Sequence, residues 1–325
     1  MEDTGDIARR YRGRTVAIQA PDGLKARALT MASDLEDAGV RVIMIGGPTY
    51  GACMVADRQA KAFGAAALLH LGHAPIPGTR TALDVHYLEM RDDIDPRPGI
   101  EAACETLISP VGLVATVQHV GMLPAAKALL EDRGYRVLVG KAGGRTAYDG
   151  QVLGCDLSAA HDVEGAVANF LFIGTGWFHP LGVALATGKP VVAMNPYMGT
   201  AALVDAEELL RKRYAAIARA MDAKRIGVIV VPEGGQSRMP LAMDLAREFR
   251  AAGREAHVIA MEQVVPEAVE DFRLDAAVVT ACPRIAIDDQ ERYQMPVLTV
   301  GEARILLRGA DGVLDGKYVV DEFSG

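Results

Sequence analysis

The chain has 325 residues, half of them hydrophobic, with 34 Lys and Arg against 42 Asp and Glu and a net charge of -8. That is apolar material for two or three buried cores, which argues against long disorder. Like charges never gather into a block, which argues against direct nucleic-acid binding, because phosphate-tracking affinity rests on clustered Lys and Arg.

The opening MEDTGDIARRYRGR lacks the apolar stretch of a secretory signal, and no later run approaches the ~20 apolar residues that span a bilayer. A cytoplasmic protein with no membrane partner is expected. From there the chain alternates. Residues 15–19 (TVAIQ) form a β-branched strand, Pro-Asp-Gly turns it, and 24–37 carry alanines and leucines near the helical period. Gly39 stops that helix, 40–45 (VRVIMI) form a second strand, and a helix over 55–63 leads to a third strand at 65–71.

The same pattern recurs twice. The helix–glycine–strand stretches at 34–45 (DLEDAGVRVIMI), 129–140 (LLEDRGYRVLVG) and 248–260 (EFRAAGREAHVIA) correspond. So do the strands before them (15–19, 112–117, 227–231) and after them (66–73, 168–176, 275–283). The expected fold class is therefore α/β, three similar units with parallel sheets arranged as a pseudo-threefold triplication around a central site. The expected units are 1–107, 108–217 and 218–325, with joints near 91–99 and along a helix at 205–222.

Each unit supplies one cysteine at the carboxyl end of a strand, the edge where open α/β sheets put ligands. Cys53 lies in PTYGACMVAD, Cys155 in GQVLGCDLSAA and Cys282 in VVTACPRIAIDD. All three sit in loops marked by glycine or proline. Cys104, in GIEAACETLI, is flanked by alanines and reads as packing. Free cysteines are often plain core residues, but three thiols in ligand-edge loops admit another reading. Structural zinc wants four ligands, commonly at CxxC spacing that is absent here. Three thiolates on a cubane iron–sulfur cluster leave one iron open for a substrate.

The stretches PDGL (21–24), YGACMVAD (50–57), LHLGHAPIP (69–77), GQVLGC (150–155) and TACPRIAIDD (280–289) resemble the archaeal diphthamide synthesis radical enzyme, the 2-(3-amino-3-carboxypropyl)histidine synthase family. The resemblance runs in order over essentially the whole chain. It implies a homodimer, a 4Fe-4S cluster on Cys53, Cys155 and Cys282, and transfer of the aminocarboxypropyl group of S-adenosylmethionine to a histidine of translation elongation factor 2. An electron donor is implied as a further partner, since one added electron breaks the sulfonium C–S bond. The cluster-binding CxxxC-x-x-C run of common radical enzymes using this cofactor does not occur.

Around the cysteines, Arg284 is a candidate for the cofactor carboxylate through its planar guanidinium. Gln236, in the Gly-rich 233–238 loop, and His73, which aligns with Cys282 in the repeat, are further cofactor-binding candidates. Tyr50 and Asp57 flank Cys53, His179 is ambiguous, and His70 reads as a buried strand residue. Two competing readings are a quinolinate-synthase-like iron–sulfur dehydratase, whose His-Pro-Glu-Cys element does not occur here, and a metal-free binding protein with inert cysteines.

Overall fold

In the computed structural model, which describes residues 4–232, 235–309 and 318–323, three parallel sheets follow one another along the chain. The first is built from α1 (Thr4–Tyr11), β1 (Thr15–Gln19), α2 (Lys25–Asp37), β2 (Arg41–Ile45), α3 (Asp57–Ala62), β3 (Ala67–Leu71) and β4 (Asp84–Leu88). The second comprises α4 (Arg97–Cys104), β5 (Val111–Ala115), α5 (Leu123–Glu131), β6 (Val137–Val139), α6 (Ser158–His161), β7 (Asn169–Ile173), α7 (Phe178–Thr187), β8 (Val191–Asn195) and β9 (Thr200–Leu203). The third has α8 (Glu207–Ala220), β10 (Arg225–Val230), α9 (Met239–Ala251), β11 (Glu255–Ala260), α10 (Pro266–Glu270), β12 (Ala276–Val279), α11 (Arg284–Ile287), β13 (Val297–Leu298) and α12 (Val300–Leu307).

The strand orders are β2-β1-β3-β4, β6-β5-β7-β8-β9 and β11-β10-β12-β13. The triplication is thus one topology used three times, each sheet gaining a fourth parallel strand beyond the three expected, with β9 added antiparallel at one edge. The central strands β3, β5 and β7 are buried along their whole length, as strands covered by helices on both faces must be. Each buried Leu, Ile or Phe contributes roughly 1.5–3 kcal/mol.

Three glycines set the repeat. Gly39, Gly134 and Gly253 have φ of 88°, 86° and 79°, a left-handed conformation that costs glycine little. Each ends its helix the same way: its N–H and that of the next residue turn back to carbonyls of the last turn, as in Gly39 to Glu36 and Val40 to Leu35. The chain then reverses into the edge strand.

Helices α4 and α8 pack on the sheets that follow them. Ile100 and Ala103 lie in the second core, and Ala216, Ile217 and Ala220 in the third. Boundaries at 107/108 and 217/218 would separate these helices from the cores they fill. We propose instead that the units part within 89–96 and 204–206, so that each begins with a helix. Arg213 of α8 ties this arrangement together: fully buried, it makes a bidentate pair with Glu302 of α12 at 2.7 and 2.6 Å and donates to the Ala286 and Val297 carbonyls. Losing one partner of so buried a pair typically costs about 3–5 kcal/mol.

Beyond α12, residues 318–323 return across the molecule. Tyr318 donates to Glu302, Asp321 pairs with Arg238, Glu322 accepts from the Leu157 N–H and His161, and the Phe323 N–H bonds to the Cys155 carbonyl. This strap joins the third unit to the cysteine loop of the second. Among the described residues no helix is long and apolar enough to cross a membrane.

Candidate functional site

Strand order 2-1-3 puts a crevice at the carboxyl ends of the central strands, and the three sheets turn those ends toward one another. The loop after β2 carries Cys53. Gln19, the last residue of β1, holds that loop by donating to the Met54 carbonyl and accepting the Ala56 N–H. After β6 the chain runs back beside β5, Gln151 bridging to Ala115, and then turns tightly between Leu153 and Asp156 to present Cys155. The buried Asp156 carboxylate accepts from the Arg145 N–H and from the N–H and hydroxyl of Ser158. Cys282 follows β12, where Arg238 donates to the carbonyls of Thr280 and Ala281.

Cys53, Cys155 and Cys282 line one cavity of about 170 Å³. All are partly buried. Burial pushes the Cys155 thiol up to about 11 and that of Cys282 up to about 12, with Cys53 adding to both shifts and Cys155 adding to that of Cys282. The three sulfurs therefore sense one another. Gln236 sits between two of them: its Nε2 donates to the Cys53 Sγ at 3.1 Å, and its Oε1 accepts the Cys282 N–H at 3.3 Å. Gly235 brings that side chain in. A Cβ there would lie 2.6 Å from the Cα of Cys53 and 2.7 Å from its carbonyl oxygen, so glycine is required for the two backbones to pass. Glu233 and Gly234 of the same loop lie outside the described residues.

Arg145 was not anticipated from the sequence. Its positive charge works against burial at the Cys155 thiol, and its guanidinium donates to the Gly235 carbonyl at 2.7 Å and lies 4.6 Å from the Phe323 ring centre. Its Nε is buried without a hydrogen-bond partner, and among the described residues it has no carboxylate partner. A half-buried cation with a buried, unbonded Nε is incompletely compensated among the described residues. Nothing local distinguishes the Arg in KAGGRTAYDG from a solvated loop residue; only the fold brings Gly235 and Phe323 to it.

Of the other expected residues, His73 and His179 line the cavity, as do Tyr50 and Arg284. Arg284 also pairs with Asp288 at 2.7 Å and lies against Phe178. The His179 pKa is lowered to about 4, by burial first and Arg284 second. Asp57 points elsewhere, its carboxylate accepting the Ala82 N–H. Cys104 packs against the second core, away from the cavity.

The donor set decides what could bind. Among the described residues no three His, Cys, Asp or Glu side chains close around a single ion. A polynuclear cluster spreads its thiolates over separate irons, and a bound metal cation reverses the thiol pKa logic by drawing the protons off. Arg145, on the same cavity, would then face the negative charge that three thiolates bring. The residues present fit an iron–sulfur cluster held by three cysteines.

A three-sheet α/β protein with one thiol per unit pooled in a shared cavity is the class that the fold and site define. Residues 20–319 match the family model described as a putative diphthamide synthesis protein, and the chain belongs to that family. It is 39% identical over 319 residues to 2-(3-amino-3-carboxypropyl)histidine synthase of Pyrococcus horikoshii, covering 98% of this chain and 91% of that one. It is also 31% identical to subunit 1 of the Homo sapiens enzyme, covering 96% of this chain and 72% of the relative. The crystal structure of Dph2 from Pyrococcus horikoshii with a 4Fe-4S cluster superposes with a TM-score of 0.91 at 36% identity, covering 100% of this chain and 94% of the other.

Proposed function

We propose that this protein is a 2-(3-amino-3-carboxypropyl)histidine synthase that takes the aminocarboxypropyl group from S-adenosylmethionine and attaches it to a histidine of translation elongation factor 2, the first step of diphthamide biosynthesis. The observation that carries this reading is the convergence of Cys53, Cys155 and Cys282, distant in sequence, on one cavity that Arg145 also lines, with no carboxylate partner for it among the described residues. These cysteines would hold a 4Fe-4S cluster, which when bound supplies the electron that breaks a sulfonium C–S bond and an open iron for the cofactor.

The chain's own residues then have separable tasks. Gln236 keeps Cys53 and Cys282 in register through its two ends, so it serves the cofactor through the cysteines rather than by direct contact. N–H groups donating to ligand sulfurs also tune a cluster's potential. Arg284, on the cavity wall, pairs with the carboxylate of the transferred arm. His73 and His179 border the volume left for the reacting groups. We take the protein to act in the cytoplasm as a homodimer that receives electrons from a separate donor protein.

Anaerobic purification should give a brown protein with broad visible absorption. After reduction, carboxyl-labelled S-adenosylmethionine should transfer its label to elongation factor 2. A colourless protein after reconstitution, or label that never reaches the factor, would overturn the proposal.

A further inference from the structure

Two imidazoles stand on the cavity wall, and the hydrogen-bond network settles where the hydrogen sits on one of them. Backbone groups of unambiguous character orient the Gln19 amide. Its Nε2 donates to the Met54 carbonyl at 2.8 Å and its Oε1 accepts the Ala56 N–H at 3.0 Å. The same Oε1 lies 3.0 Å from Nδ1 of His70, so that nitrogen must carry a hydrogen.

His70 is fully buried, and burial followed by the neighbouring His73 pushes its pKa down to about 3. A neutral imidazole with a hydrogen on Nδ1 has a bare Nε2. That nitrogen is 3.0 Å from Nδ1 of His73, which must therefore donate. Burial lowers the His73 pKa to about 4 as well, so at neutral pH it too is uncharged. Its hydrogen is thus on Nδ1, and its Nε2 keeps an unshared pair. Among the described residues no group hydrogen-bonds this Nε2, and with Nδ1 committed to His70 the opposite ring edge is left to the cavity. Among the described residues no comparable hydrogen-bond chain orients His179.

We propose that Nε2 of His73 is the proton acceptor of the transfer reaction. This rests on the synthase activity proposed above, whose product carries its new substituent on carbon 2 of the target imidazole. In net terms the sulfonium C–S bond breaks and its electron pair leaves with the neutral thioether. The pair of the broken C2–H bond ends in the new C–C bond, and the C2 proton passes to His73. No electron is gained or lost overall, and the positive charge of the sulfonium reappears as an imidazolium. The relay from Gln19 through His70 fixes the ring of His73 with its basic nitrogen forward before any substrate arrives.

Two measurements test this. In the metal-free protein labelled with ¹⁵N-histidine, long-range proton–nitrogen correlation at neutral pH should show His73 Nε2 unprotonated and Nδ1 protonated; a hydrogen on Nε2 overturns the proposal. In the reconstituted enzyme, His73→Gln keeps a donor toward His70 but supplies no base. It should retain iron and cofactor cleavage while transfer to the factor falls by about 10²–10⁴ and becomes sensitive to deuterium at carbon 2. His73→Asn serves if the Gln variant fails to load. Transfer at the wild-type rate, or cleavage and transfer falling together, overturns the role. Wild-type protein that cleaves no cofactor would sink the synthase reading and this role with it, yet leave the hydrogen placement on His73 standing.

Discussion

His73 and Cys282 occupy equivalent places in two units that otherwise repeat each other. Ala67 pairs with Val16 and Ala276 with Ile226 in matching registers, and both side chains follow those alanines by the same interval. One unit places an imidazole there and another a thiol. Cys53 and Cys155 instead follow the second strands of their sheets. The scaffold is therefore repeated but the site is not. What repeats is the direction of the strand ends, and what each end carries answers to the cavity in the middle.

That contrast can be broken experimentally. The largest effect is expected at the thiols: replacing Cys53, Cys155 or Cys282 singly by Ala should abolish the visible absorption and retained iron of the anaerobic protein, read by spectroscopy and metal analysis. Gly235→Ala comes next. The new Cβ meets the backbone of Cys53, which cannot swing aside, so we expect about 1–3 kcal/mol of lost stability in denaturant melts, together with reduced iron retention.

A smaller effect concerns the strap. His161 lies 2.9 Å from both Glu164 and Glu322. Burial opposes its charge, but bonds to Glu322 and Glu164 prevail and raise its pKa. A raised pKa means that the contribution is complete below the ordinary histidine value of about 6.5 and is lost as pH rises through the folded-state value. Exchange protection of amides in 318–323, corrected for intrinsic rates, should fall several-fold between mildly acidic and mildly alkaline pH, and this dependence should vanish in His161→Phe. The smallest effect is expected for Cys104→Ala, which should cost on the order of 1 kcal/mol or less and leave iron content unchanged. A bleached Cys104→Ala protein would overturn the ligand assignment.

Much of this was legible before the fold was known. The glycines at 39, 134 and 253 announced the repeat because a helix that must reverse into an edge strand needs a left-handed residue at one place. The loops around Cys53, Cys155 and Cys282 were legible because turn residues next to a thiol at a strand end form a local pattern. Gln236 and Arg284 were picked out, but not their partners. The Gln236 amide is taken up by two cysteines, and Arg284 shares its charge with Asp288. Arg145 and Phe323 were missed altogether, since neither has a local signal.

Sequence alone therefore determined the three α/β units, their reversals and the strand ends that bear thiols, because hydrophobic period, glycine conformation and turn chemistry act over a few residues. Only the tertiary structure decided that the three sulfurs meet in one cavity, that Arg145 stands there without a carboxylate partner among the described residues, and that Gln19 orients His73 through His70. Those outcomes depend on distances between residues far apart in the chain, and they exist only once three sheets have packed with their carboxyl edges turned inward.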